Sequence, residues 1–137
     1  MTFEFRLEKA LRVTLAKETA KKHEVGACLR RILILEQKVD ACSEAIRGVL
    51  GSRRPEMALY EASKISHERQ EMDRLERLIH DEKSNLRLRQ AELKTSLSRR
   101  LALEKLRAKR FHEFRMRHKR QEQRRLDELW QLTETQR

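Results

Sequence analysis

The sequence predicts an all-α protein: two long helices in an antiparallel coiled-coil hairpin, with the second helix overhanging the first. Three observations carry this. Strong helix formers dominate a chain of 137 residues that is 40% charged and only 4% aromatic, the mixture of long helices and coiled coils. Apolar residues recur every seven positions in each half of the chain, as a coiled-coil seam requires. The pattern is interrupted once, at residues 48–55, which hold Gly48, Gly51 and Pro55: two of three glycines and the only proline. Glycine ends helices, and proline lacks the amide that a helix interior needs.

The first helix is expected over about residues 2–47, opening on Phe3, Leu7, Leu11 and Leu15 at helical spacing. Its seam then becomes strict: Val25, Ile32, Val39 and Ile46 hold one core position, and Cys28, Leu35, Cys42 and Val49 the other. Between Ala16 and Glu24 the stripe weakens, and Glu18 and Lys21 point to a locally open seam. A turn is expected at about 48–54. The second helix follows over about 55–132, begun by Pro55, a favoured first-turn residue, with Glu56 well placed for the helix dipole. Ile65, Met72, Ile79, Leu86 and Leu93 keep the seven-residue spacing. Their companion positions are Glu68, Leu75, Glu82, Arg89 and Ser96, so this seam is less regular, and Leu75, Leu86 and Leu97 follow an 11-residue spacing. The predicted seam is thus Val25, Cys28, Ile32, Leu35, Val39, Cys42 and Ile46 against Leu75, Ile79, Leu86 and Leu93, in one domain spanning residues 1–137.

The predicted helices differ in length, roughly 70 Å against roughly 115 Å at the α-helical rise. Folded back, the first covers the second to about residue 100. The overhang from Arg100 onward coincides with the basic part of the chain. Net charge is +11, and residues 98–137 carry thirteen Lys/Arg against six Asp/Glu. Such a block implies an acidic partner: nucleic acid, anionic lipid or an acidic protein surface.

Chemistry-bearing motifs are missing. No glycine-rich phosphate loop, HExxH pair, nucleophile elbow or spaced Cys/His quartet is present. Of the five histidines, His80 stands i, i+4 from Glu76, and on a charged helix such a pair reads as a surface contact. Cys28 and Cys42 lie two heptads apart and read as small apolar seam residues. The expectation is a non-enzymatic protein with no cofactor and no metal, in a reducing compartment. No stretch approaches the roughly 20 apolar residues that span a bilayer, and the opening Met1–Arg6 lacks the layout of a signal peptide, so membrane insertion is not expected. Exposed apolar residues gather at the ends: Phe3 and Phe5 at one, Phe111, Phe114, Leu126, Leu129 and Trp130 on the overhang. Aromatics with arginine are what protein interfaces favour.

The opening Phe3-Glu4-Phe5-Arg6-Leu7-Glu8-Lys9-Ala10-Leu11 resembles the Phe-x-Phe-x-Leu-Glu-x-x-Leu start of the FliJ family of flagellar and type III secretion proteins. Glu18 fits that family's charged continuation, and Arg124-Arg125-Leu126-Asp127-Glu128-Leu129 resembles its closing basic stretch before Leu-Asp-Glu. The resemblance implies a coiled-coil stalk or adaptor of a protein-export apparatus. It would bind the hexameric export ATPase and the export gate membrane protein, and escort export chaperones. Its place would be cytoplasmic, peripheral at the cytoplasmic face of the inner membrane. It implies ATPase contact through Phe3, Phe5, Leu7, Glu8, Leu11, Arg107, Arg110, Phe111, Phe114, Arg117, Leu126, Asp127, Glu128, Leu129 and Trp130. It implies a gate-facing hairpin end with Cys42, Ile46, Tyr60, Ile65, Met72 and Ile79, although only Tyr60 remains of the aromatics usual there. Two other readings compete. One is a nucleic-acid- or ribosome-associated helical protein, from the twelve Lys/Arg between Arg99 and Arg125. The other is a plain coiled-coil homodimer, since the first helix's repeat can pair between chains.

Overall fold

In the computed structural model, which describes residues 2–136, two long helices follow one another without a strand among the described residues. Met1 and Arg137, the outermost residues of the expected domain, lie outside that range. Helix α1 runs Glu8–Gly51, a 3₁₀ turn covers Pro55–Met57, and helix α2 runs Ala58–Thr135. The chain is a helical hairpin of the predicted class. It packs as two compact units: Met1–Glu18 with Thr95–Arg137, and Thr19–Lys94.

The turn differs in detail from its expected form. Gly48 and Gly51 do not end the helix at 47; α1 continues to Gly51, and neither glycine has a positive φ. Val49 sits one heptad beyond Cys42 and is buried with it, so the seam holds one more turn together than the glycines release. The reversal itself is Ser52–Arg54. The Ser52 hydroxyl donates to the Gly48 carbonyl at 2.9 Å. The Arg54 amide donates to the Glu61 carboxylate at 3.0 Å, satisfying a donor that a helix start leaves orphaned. Pro55 opens the 3₁₀ turn, where its missing amide costs nothing.

Within the unit of residues 19–94, every predicted seam residue from Val25 to Leu93 is buried or half-buried. Leu75 and Cys28 are the most enclosed, each 1% exposed. One antiparallel register governs the pair. Lys21 Nζ lies 2.7 Å from Glu92 Oε2, Arg89 Nη1 lies 3.1 Å from Glu24 Oε2, and Arg31 Nε lies 3.3 Å from Glu82 Oε2. Asn85 Nδ2 lies 3.6 Å from Cys28 Sγ. In each pair the two residue numbers add to 113, so one alignment holds over more than a heptad on each helix. Two companion positions that look poor in sequence, Glu82 and Arg89, supply the α2 halves of two of these pairs.

In the unit formed by the two chain ends, α1 contributes Leu11, Thr14 and Glu18 to the same repeat, and Leu11 and Glu18 are buried. The seam is not open at Glu18. The Arg100 guanidinium donates to the Glu18 carboxylate through Nε, and to Glu104 through Nη1 at 2.9 Å. Ahead of Glu8 the chain is not helical. Residues 2–5 have no regular structure and lead through a turn at 6–7, where the Glu8 amide donates to the Phe5 carbonyl at 3.1 Å. A chain in this form advances up to about 3.3 Å per residue against 1.5 Å in a helix. The first residues therefore reach further along α2 than the expected helix over 2–7.

Candidate interaction site

The reach of the N-terminal segment creates the first surface of interest. Phe3 packs edge-on to Phe111, with ring centroids 5.2 Å apart, and against Phe114 at 5.5 Å. The Arg107 guanidinium stands over the Phe3 ring at 5.9 Å and also donates to the Glu8 carboxylate at 3.0 Å. Offset or edge-on aromatic pairs each stabilise by about 0.5–1.5 kcal/mol beyond area burial. Beside Phe3 a shallow cleft is lined by Phe5, Leu7, Leu106, Arg110, Phe114 and Arg117. The opening motif and the start of the basic segment thus meet in one place.

This corrects the expected overhang. Phe114 is half-buried, and Phe111, still 42% exposed, is touched on one side; both meet an extended segment rather than a helix. The bare part of α2 begins at Arg115, not Arg100: residues 115–136 are exposed throughout. Of the fifteen residues implied for ATPase contact, Phe3, Phe5, Leu7, Glu8, Leu11, Arg107, Arg110, Phe111, Phe114 and Arg117 lie on or near the Phe3 cluster or its cleft. Leu11 is buried in the seam and is not part of the exposed surface. Leu126, Asp127, Glu128, Leu129 and Trp130 stand apart on the bare arm.

The gate-facing set divides differently. Cys42 is buried and Ile46, Ile65, Met72 and Ile79 are half-buried along the seam, so they hold the helix pair together; Tyr60 is exposed. Exposed neighbours that sequence reading did not single out are Leu50, Met57 and Leu59. Their signal was present as apolar residues flanking the turn, off the heptad positions. A shallow groove nearby is lined by Leu50, Arg53, Arg54, Pro55, Ala58 and Glu61, among others.

The arm has a distinctive face. Continuing the α2 repeat past Phe114 puts Arg117, Gln121, Arg124, Glu128 and Gln131 on the side that faces α1 earlier in the helix. No apolar residue remains there. Leu126, Leu129 and Trp130 fall on the opposite side of the heptad, with exposures of 61%, 59% and 68%. The apolar face has changed sides, away from the face that packs on α1 earlier in the helix.

The electrostatics are those of exposed helix faces. Lys21 hydrogen-bonds Glu92 and holds its carboxyl below the usual range, with Arg89 adding to the effect. Burial pushes the Cys42 thiol up, and a hydrogen bond with Glu68 adds to it. Among the described residues no group of three or more His, Cys, Asp or Glu is placed to hold a metal ion, and no helix is long and apolar enough to cross a membrane. No family model, no curated protein and no solved structure matches this chain.

Proposed function

We propose that this protein is a non-enzymatic coiled-coil stalk or adaptor of a flagellar or type III secretion export apparatus, peripheral at the cytoplasmic face of the inner membrane. It engages the hexameric export ATPase through its paired chain ends and the export gate through its turn end, and it escorts export chaperones. The observation that carries this reading is the junction of Phe3 with Arg107, Phe111 and Phe114. The opening motif that resembles the export family is packed onto the base of the helical arm whose end carries the closing motif. A thin helix pair with a charged seam and a bare basic arm suits insertion into an acidic ring pore, where charge steers entry and long side chains adapt to the wall.

The test is ATP hydrolysis by the export ATPase of the same genome, with and without this protein and with a version ending at Phe114. The reading expects stimulation by the full chain and its loss on truncation. Absence of stimulation at saturating protein overturns it.

A further inference from the structure

We infer that residues 115–132 form a membrane-surface arm that binds anionic phospholipid headgroups. The inference does not rest on the secretion reading, and the two fail separately.

Three observations carry it. First, the arm is a helix open to solvent: residues 115–136 are exposed, with Arg117 bordering the Phe3 cleft, and α2 continues to Thr135. Second, its positive charge surrounds the helix. Arg115, Arg117, Lys119, Arg120 and Arg125 each fall on a different one of the seven heptad positions, with Arg124 adding a sixth cation and Glu122 the one acid among residues 115–125. A sleeve of cations on long, flexible stems suits a diffuse anionic plane, toward which those stems bend. Third, Leu126, Leu129 and Trp130 form one exposed stripe directly after the sleeve, at i, i+3 and i+4. A helix lying in the headgroup region buries such a stripe, and tryptophan is favoured at that depth. Asp127 and Glu128 occupy positions off the stripe, so they remain in water when it is buried. Nucleic acid would use the same charge but gives the leucines no role.

Trp130 is the only tryptophan in the chain, so its emission reports burial of this stripe alone. The experiment mixes the full chain with phosphatidylcholine vesicles, or with vesicles that also contain phosphatidylglycerol, and records emission and co-sedimentation. Expected are a shift to shorter wavelength and co-sedimentation with the anionic vesicles only, both reversed by salt. Arg124→Gln with Arg125→Gln weakens binding by about fivefold for each charge removed. Leu126→Gln with Leu129→Gln abolishes the shift while leaving helix content unchanged by circular dichroism. The inference is overturned by no shift with either vesicle, by equal shifts with both, or by unaltered binding of the Leu126/Leu129 variant. It is also overturned if single-stranded RNA saturates the chain and displaces it from anionic vesicles.

Discussion

Arg100 donates to Glu18 from the opposite helix, closing an ion pair at a seam position where Glu18 is only 3% exposed. A buried carboxylate without a partner would be strongly unfavourable, and the Arg100 fork, shared with Glu104, removes that cost. The pair also carries information. If two α1 helices paired in parallel register, Glu18 would meet Glu18, and Lys21 would meet Lys21 without Glu92. Charge at these positions favours the intrachain hairpin over that dimer. Glu18→Lys therefore lowers the thermal midpoint by roughly 5–10 °C. Combining it with Arg100→Glu recovers most of the loss. A double-mutant cycle by circular dichroism checks this, and additive losses would refute the pairing.

Phe3 is the clasp at the chain ends. Phe3→Ala removes its contacts with both Phe111 and Phe114, a local loss of about 1–2 kcal/mol. The effect should be confined to its surroundings. Hydrogen exchange should quicken in the first turns of α1 and around Phe111, while amides near Leu75 keep their protection. Uniformly faster exchange would mean that Phe3 supports the whole structure.

The exposed ion pairs impose a pH dependence whose sign follows from their partners. Glu92 ordinarily titrates at 4.5, and its hydrogen bond from Lys21 lowers that value in the folded chain. A lowered carboxylate stabilises the fold above its unfolded value, and that contribution is lost as pH falls through the folded one. Glu71, lowered chiefly by a hydrogen bond from Arg74, acts in the same direction. Lys21 moves oppositely: its raised value stabilises below 10.5 and is lost as pH rises beyond the folded one. The thermal midpoint should therefore fall between about pH 5 and pH 2 and again at strongly alkaline pH. Added salt should flatten both limbs, because these pairs are open to water.

Much of the hairpin was legible in the sequence because a seven-residue repeat survives any uncertainty in helix ends. Val25 to Ile46 and Leu75 to Leu93 lie in the seam as the spacing requires. Register was not legible, because it depends on where the chain reverses. Gly48 and Gly51 signalled an early end, but burial of Val49 carries α1 past them. Without register, Glu18 and Lys21 looked like faults in the seam, since Arg100 and Glu92 cannot be named as partners until the helices are aligned. The Phe3 clasp was hidden for another reason: Phe3, Leu7 and Leu11 are spaced as a helix would space them. Only the tertiary contact with Phe111 and Phe114 favours the extended segment.

Cys42 offers a chemical check on the seam. Burial and a hydrogen bond with Glu68 hold its thiol above the ordinary value of 9.0, and the thiolate is the species that alkylates. At mildly alkaline pH, iodoacetamide should modify Cys42 in the folded chain at least about tenfold more slowly than in urea, with the site read by mass spectrometry. Equal rates would place the thiol in water and the seam elsewhere.

The boundary between helix pair and bare arm is best tested by two leucines on the same helix. Leu75 is 1% exposed and packed in the seam, while Leu129 stands in solvent on the arm. Leu75→Ala removes buried methyl groups and leaves a void that a two-helix structure only partly closes, so it should cost about 2–4 kcal/mol. Leu129→Ala removes as many atoms but takes nothing from the fold, so its change should stay within about 0.5 kcal/mol. Thermal unfolding of the two variants reads both quantities. A large loss at Leu129 would mean that the arm is covered in solution, by a second copy or by a folded-back segment. The concentration dependence of the midpoint separates those two, since only association between copies makes it vary.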